Sequence, residues 1–177
     1  MFTRRGDYGE TDTGLRVRIG KDSPLVDLQG SLDELNSFIG NALINTKWDD
    51  IKSDLIKIQN DVFVIGEDIT AQSTHRTIKE EDVKWLEDRV AEYRKEIGKI
   101  TLFVVPDGSI ESVSLHIARS VARRNERMAV GLSKQMPVNK YILIYLNRLS
   151  SLLFMHALAS NKRLGITERI WDIKRES

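Results

Sequence analysis

Arg119, Arg123 and Glu126 stand at i, i+4 and i+7, so in a helix they share one face, with Arg124 and Arg127 beside them. Four guanidiniums thus fall within nine residues. Arginine offers a planar fork of donors that matches phosphate oxygens in pairs, and Glu126 can hold one guanidinium in place or bind a ribose or amine. A solvated helix face would look similar. The apolar flanks Leu115, Ile117, Ala118, Val121 and Ala122 favour the phosphate reading, because they require the same helix to be buried on its other faces.

A second candidate is the run Thr3-Arg4-Arg5-Gly6-Asp7-Tyr8-Gly9-Glu10-Thr11-Asp12-Thr13-Gly14. Glycines let backbone N–H groups converge, and hydroxyls, arginines and Lys21 add donors, as in anion-binding nests. The spacing is not that of a Walker A loop, and a flexible terminus is the plain alternative. Asn147-Arg148 interrupts an otherwise apolar segment, Tyr141 to Met155, and needs either a ligand or an interhelical partner. Asp33 and Glu34 follow Ser31 and read as cap and dipole partners. There is no Glu-x-x-His pair, His75, His116 and His156 are too far apart for a local metal motif, and no serine triad assembles. The chemistry therefore rests on charge stabilisation, without a protein nucleophile.

These groups must be positioned by helices. Ser31-Leu32-Asp33-Glu34 has the capping-box pattern and predicts a helix from Leu32 to about Thr46, with Leu32, Leu35, Ile39, Ala42 and Leu43 on one stripe. A second helix is predicted over Asp50 to Thr70, with Ile51, Leu55, Ile58, Val62, Ile65 and Ile69 inward, and a third from the Thr77-Ile78-Lys79-Glu80 box, with Val83, Leu86, Val90 and Tyr93 inward. Residues 100–109 break the pattern as an extended loop ending in Pro106-Asp107-Gly108-Ser109. A fourth helix follows from about Ser109 to Ser133, and a fifth from Pro137 as a first-turn proline to about Asn161. The fold class predicted is all-α, a five-helix antiparallel bundle (31–161), with a Gly-rich segment (1–30) that holds a small hairpin or ordered ligand loop and a polar tail (162–177).

The 177 residues suit a single domain with a core of its own. Lys plus Arg is 27 and Asp plus Glu is 26, so no global charge excess points to nucleic acid or a membrane surface, and a basic site must be local. Cysteine is absent, which removes disulfides and thiolate chemistry and suits a reducing cytosol. The N-terminus lacks a signal-peptide pattern and no run approaches the roughly 18 apolar residues of a membrane span, so a cytoplasmic location is expected.

Taken in order, T-R-R-G-D-Y-G-E-T, G-S-L-D-E-L-N, F-V-V-P-D-G-S, L-H-I-A-R-S-V-A-R-R-N-E-R and Y-L-N-R-L-S resemble the motifs of the PduO-type ATP:cob(I)alamin adenosyltransferases over nearly the whole chain. The resemblance implies a homotrimeric five-helix bundle with ATP sites between subunits. It implies transfer of the 5′-deoxyadenosyl group of ATP to cob(I)alamin with release of triphosphate, Mg²⁺ accompanying the nucleotide. A cob(II)alamin reductase and an acceptor cobalamin enzyme are the implied partners. A non-catalytic ATP-binding module that serves a cobalamin enzyme is the alternative, and a purely structural bundle a third.

By motif, Thr3, Arg4, Arg5, Gly6, Thr11 and Asp12 resemble the ATP-phosphate cradle, with Lys21 a further contact. Arg123, Arg124, Asn125, Glu126, Arg127 and Asn147 resemble the rest of the nucleotide site. Arg119 resembles the arginine that pairs across the subunit interface with the acid of D-E-L, here Asp33, and Phe103 the aromatic that fills the lower corrin face. Gln29, Asp107 and Ser151 depart from the pattern, where an aromatic, a glycine and an aspartate are usual.

Overall fold

The computed structural model describes residues 4–14, 17–71, 76–100 and 102–171. Its five helices are α1 (Pro24–Asn45), α2 (Asp49–Ala71), α3 (Glu80–Ile97), α4 (Ile110–Leu132) and α5 (Lys140–Arg163). α1 packs on α2 and α4, α4 on α5, and α5 on α3. This is the predicted all-helical bundle. A two-stranded antiparallel hairpin precedes it, β1 (Glu10–Asp12) with β2 (Arg18–Gly20), Thr11 opposite Ile19.

α1 begins two turns earlier than its Ser31 box suggests. Ser23 is the cap, its hydroxyl accepting from the Val26 N–H at 3.4 Å, and Pro24 occupies the first turn, where a fixed φ and a missing N–H cost nothing. Ser31 lies inside the helix and is 7% exposed. α3 is capped at Lys79 rather than Thr77, because the Asp82 carboxylate accepts the Lys79 N–H at 3.0 Å. α5 starts after Asn139, not at Pro137: the Asn139 side chain accepts from the Tyr141 N–H at 3.0 Å while donating to Asp68 and to the Ile78 carbonyl, each at 2.8 Å. That asparagine thereby fixes the start of α5 against α2 and the approach to α3. α4 matches its predicted bounds, with Ser109 accepting from the Ser112 N–H at 3.1 Å.

The predicted stripe of α2 is buried along its length, from Ile51 to Ile69. α5 runs through the centre of the bundle and is the one described helix with the length and hydropathy of a membrane span, yet 67% of that window is buried against its neighbours, as in a core helix. Among the apolar contacts lies a polar seam of α2, α3 and α5. Tyr145 donates to Asp61 at 2.7 Å, His156 Nε2 meets Asp54 at 3.0 Å, Arg89 pairs with Asp54 at 2.9 Å, and Tyr93 donates to Asp50 at 3.0 Å. Buried polar groups of this kind permit few alternative registers, since each must find its partner.

The segment after α5 is more than a polar tail. Gly165 turns the chain at φ 71°, Ile170 bridges Val104, the Trp171 N–H donates to the Phe103 carbonyl and the Val105 N–H to the Arg169 carbonyl, both at 2.8 Å. The extended stretch predicted between α3 and α4 is thus strapped by the residues that follow α5.

Candidate functional site

The arginines of α4 part company in the fold. Arg124 turns toward α1, where its Nε donates to Ser31 Oγ at 3.3 Å and a terminal nitrogen pairs with Glu34. Ser31 and Glu34 therefore hold Arg124 rather than cap a helix. Asn125, expected at the nucleotide, is fully buried and donates to the Ser31 carbonyl at 3.0 Å and the Val121 carbonyl at 3.1 Å. It packs α4 against α1 and offers no surface to a ligand. Glu126 and Arg127 stay at the surface side of the helix, Glu126 accepting from the Asn147 amide at 2.7 Å and Arg127 donating to the Arg123 carbonyl at 3.0 Å. Asn147 in turn accepts from Arg148 at 2.6 Å, and Arg148 pairs with Glu87 at 2.8 Å.

Arg119 and Arg123 face the α5 side. With Phe103, Ser150, Ser151 and Phe154 they line a cavity of about 330 Å³ between α4, α5 and the strapped loop. Phe103 stands 74% exposed at its edge. The Arg119 guanidinium lies 5.8 Å from the Phe154 ring and its Nε donates to His116 Nδ1 at 3.3 Å. Burial, and then the charge of Arg123, lower the pKa of Arg119 without discharging it. The Arg123 side chain makes no hydrogen bond or ion pair among the described residues, so two cations open on one cavity with no carboxylate among the described residues of its wall.

The loop behind Phe103 is anchored from α5. Asn161 accepts from the Ser109 N–H at 3.0 Å and donates to the Asp107 carbonyl at 3.1 Å, while Arg169 pairs with the Asp107 carboxylate at 2.8 Å. Asp107, which departs from the motif, thus carries an ion pair that a glycine could not make, and holds its carboxyl below the usual range through the Gly108 N–H and Arg169.

The N-terminal loop closes on itself. Arg5 pairs with Asp12 at 3.1 Å, Arg18 donates to the Arg5 carbonyl at 2.9 Å, and Lys21 Nζ donates to the Gly6 carbonyl at 2.8 Å. A Cβ on Gly6 would sit 3.0 Å from Lys21 Nζ, so a side chain there would press the lysine tip slightly aside. Arg4 takes a left-handed φ of 59° at the mouth of this loop, and Thr11 is half-buried in β1. Thr3 lies outside the described residues. The hairpin reaches the end of α2, where Gly14 stands beside Thr70.

Thr70 also lines a groove of about 320 Å³ between α1 and α2, together with Gln29, Asp33, Asn36, Phe63 and Glu67. Gln29 closes its floor by donating to the Gly66 carbonyl at 2.7 Å. Asn36 Oδ1 is buried there without a hydrogen-bond partner among the described residues. Asp33 and the hairpin thus open on the α1/α2 side, Arg119 and Arg123 on the α4/α5 side, with α1 between α2 and α4. Within one chain the fold does not bring Asp33 to Arg119. His116, Phe154, Asn161 and Arg169 were not singled out by sequence reasoning for this site. A histidine or phenylalanine in an apolar run reads as core, and Arg169 lies in what looks like a tail.

The family model described as cobalamin adenosyltransferase matches residues 1–160. The chain is 38% identical over 172 residues to a corrinoid adenosyltransferase of Bacillus subtilis, covering 94% of this chain and 89% of the relative. It is 36% identical to a cobalamin adenosyltransferase of Cupriavidus metallidurans, covering 100% of this chain and 96% of the relative. Its backbone is similar, at a TM-score of 0.93 and 27% identity, to a single-residue variant of the PduO-type ATP:corrinoid adenosyltransferase of Lactobacillus reuteri complexed with cobalamin and ATP, covering 98% of this chain and 97% of that one.

Proposed function

The chain belongs to the cobalamin adenosyltransferase family, and we propose from its site that it binds ATP and a corrinoid side by side and joins the 5′-deoxyadenosyl group to cobalt. The observation that carries this is the shared cavity: Phe103 and the two cations Arg119 and Arg123 open on one space. Cob(I)alamin supplies its own electron pair, attacks C5′ of ATP, and the C5′–O bond breaks with its pair leaving on the triphosphate. The protein's tasks are then to hold the two substrates in line and to stabilise the departing charge. Arginines suit the second task, and an exposed apolar ring suits the corrin face.

Arg123, Arg127 and Glu126, with Asn147 across from it, form the α4/α5 portion of the nucleotide site in this reading, and Thr3, Arg4, Arg5, Gly6, Thr11, Asp12 and Lys21 the phosphate cradle. Arg124 acts from behind by fixing α4 on α1. Among the described residues no group of three or more acidic or histidine side chains could hold a metal ion. Mg²⁺ would therefore enter on the polyphosphate, which supplies most of its oxygen ligands, and neutralise part of the leaving charge. A homotrimer completes the site by bringing Asp33 of one copy to Arg119 of the next. In support, the two residues open on different sides of the protomer and Asn36 Oδ1 lacks a partner among the described residues in the Asp33 groove. A cytoplasmic setting, a reductase that delivers cob(I)alamin and an enzyme that takes up the product complete the proposal.

The test is to mix the protein with ATP, Mg²⁺ and chemically reduced cobalamin under anaerobic conditions and follow the absorbance of the Co–C bond together with triphosphate release. Formation of both is expected. ATP binding with neither would leave a nucleotide-binding module in place of an enzyme.

A further inference from the structure

We propose that His116 is a positioning residue for the proposed reaction: its Nδ1 accepts the Nε–H of Arg119 and so sets the direction in which that guanidinium meets the cavity. The contact is 3.3 Å, one turn apart on the same face of α4. His116 is 2% exposed, and its ring lies 5.9 Å from Phe154 of α5, the same ring that Arg119 covers at 5.8 Å. Three side chains from two helices thus brace one another. With Nε engaged, the terminal nitrogens of Arg119 are the ones left to an anion or a carboxylate entering the cavity lined by Arg123, Ser150 and Ser151.

The geometry dictates a protonation state. An imidazole nitrogen accepts only when it carries a lone pair, so Nδ1 must be bare and the single ring proton must sit on Nε2, which is buried and has no hydrogen-bond partner among the described residues. An imidazolium beside Arg119 would lose the acceptor and set two cations together. Burial, and secondly the Arg119 charge, push the His116 pKa down to about 4, which keeps the ring neutral at physiological pH. A histidine that only filled space would have no need of this orientation and could leave Nδ1 turned elsewhere.

This inference rests on the proposed function only for its consequence in turnover, and the experiment separates the two. The variants are His116→Leu, which removes the acceptor, His116→Asn, whose side-chain oxygen can replace Nδ1, Arg119→Ala, and the Leu/Ala double variant. Adenosyl transfer should fall roughly ten-fold or more in His116→Leu, the scale of a hydrogen bond to a charged group, and recover most of that in His116→Asn. The double variant should be no slower than Arg119→Ala alone. Equal losses in Leu and Asn, or full additivity in the double variant, would overturn the proposal. Long-range ¹⁵N NMR of the imidazole gives a readout independent of turnover, and stands even if His116→Leu fails to fold. The bare-Nδ1 tautomer in the unmodified protein, shifting in Arg119→Ala, is expected, and an Nδ1–H tautomer would refute it. If the unmodified protein forms no Co–C bond, the functional reading fails while the NMR still decides the role of His116.

Discussion

The side-chain amide of Asn147 on α5 donates to Glu126 on α4 at 2.7 Å. The contact is the middle of a chain from Glu87 through Arg148 and Asn147 to Glu126, so α3, α5 and α4 are linked across the face that carries the exposed arginines. Asn147→Leu removes the central link. Stability should fall by about 1 kcal/mol, the net value of such a hydrogen bond. ATP affinity should fall as well, because Glu126 loses the group that orients it. Urea denaturation and calorimetric ATP titration read the two effects separately, and a loss of stability alone would make Asn147 a packing residue.

Arg123 gives the opposite pattern. Its side chain is exposed and engages no described residue by hydrogen bond or ion pair, so Arg123→Ala should leave the melting temperature unchanged. ATP binding should weaken by about 2 kcal/mol, roughly thirty-fold in Kd, if the guanidinium clamps phosphate. Unaltered affinity would return this arginine to the solvated helix face.

Stability should drop as pH falls from about 6.5 to about 4. Burial lowers the pKa of both His116, to about 4, and His156 in the folded protein, whereas the unfolded chain takes up these protons near 6.5. The unfolded state then binds more protons across that window. The stabilisation is complete above the unfolded value and is lost on acidification, by up to about 3 kcal/mol for His116. Below pH 4 the Asp50 carboxylate, held under the usual range chiefly by Arg163, adds to the loss as it protonates. Urea midpoints at pH 7.5 and 4.5 test this, and equal midpoints would contradict neutral buried histidines.

Tyr145→Phe probes the polar seam. Tyr145 is fully buried and donates to Asp61 at 2.7 Å, but Lys57 also pairs with Asp61 at 2.6 Å, so the carboxylate is not abandoned. The expected cost is about 1–2 kcal/mol in urea unfolding, well short of the loss for an orphaned buried charge.

How much of this could be read beforehand depended on whether a residue's role was local. The stripe Ile51 to Ile69 and the Ser109 cap follow from spacing and from hydrogen bonds within a few residues, and both stand in the structure. Ser31 and Glu34 carry the same local pattern as a cap, yet Arg124, 90 residues from Glu34, takes both side chains. Pro137 obeyed a first-turn preference that the side chain of Asn139 overrode from two residues on. The arginine cluster was legible as chemistry, but its division was not. Whether an arginine faces α1 or α5 depends on how α4 is rotated between them, which no stretch of α4 encodes alone. The role of the residues after α5 was hidden for the same reason, since their partners Phe103 to Asp107 lie far back in the chain.

Gly108 tests that distant contact. It sits at φ 101°, a region costly to residues with a Cβ, and a Cβ built there would collide with the Asn161 side chain. Asn161 cannot simply move aside, because it is fully buried and already holds the Ser109 N–H, the Asp107 carbonyl and Glu168. Gly108→Ala must therefore displace the loop that presents Phe103 or break these bonds, at a cost of about 1–3 kcal/mol. The helix cap at Ser109 is adjacent, so part of that cost should appear as reduced global stability. The remainder should appear as weaker corrinoid binding, measured by quenching of tryptophan fluorescence on titration with cobalamin, with ATP affinity affected less because Arg123, Glu126 and Arg127 are carried by α4 itself and not by the displaced loop. Equal weakening toward ATP and corrinoid would mean that the substitution had unsettled α4 as a whole, and normal behaviour toward both would show that the strap does not set the position of Phe103.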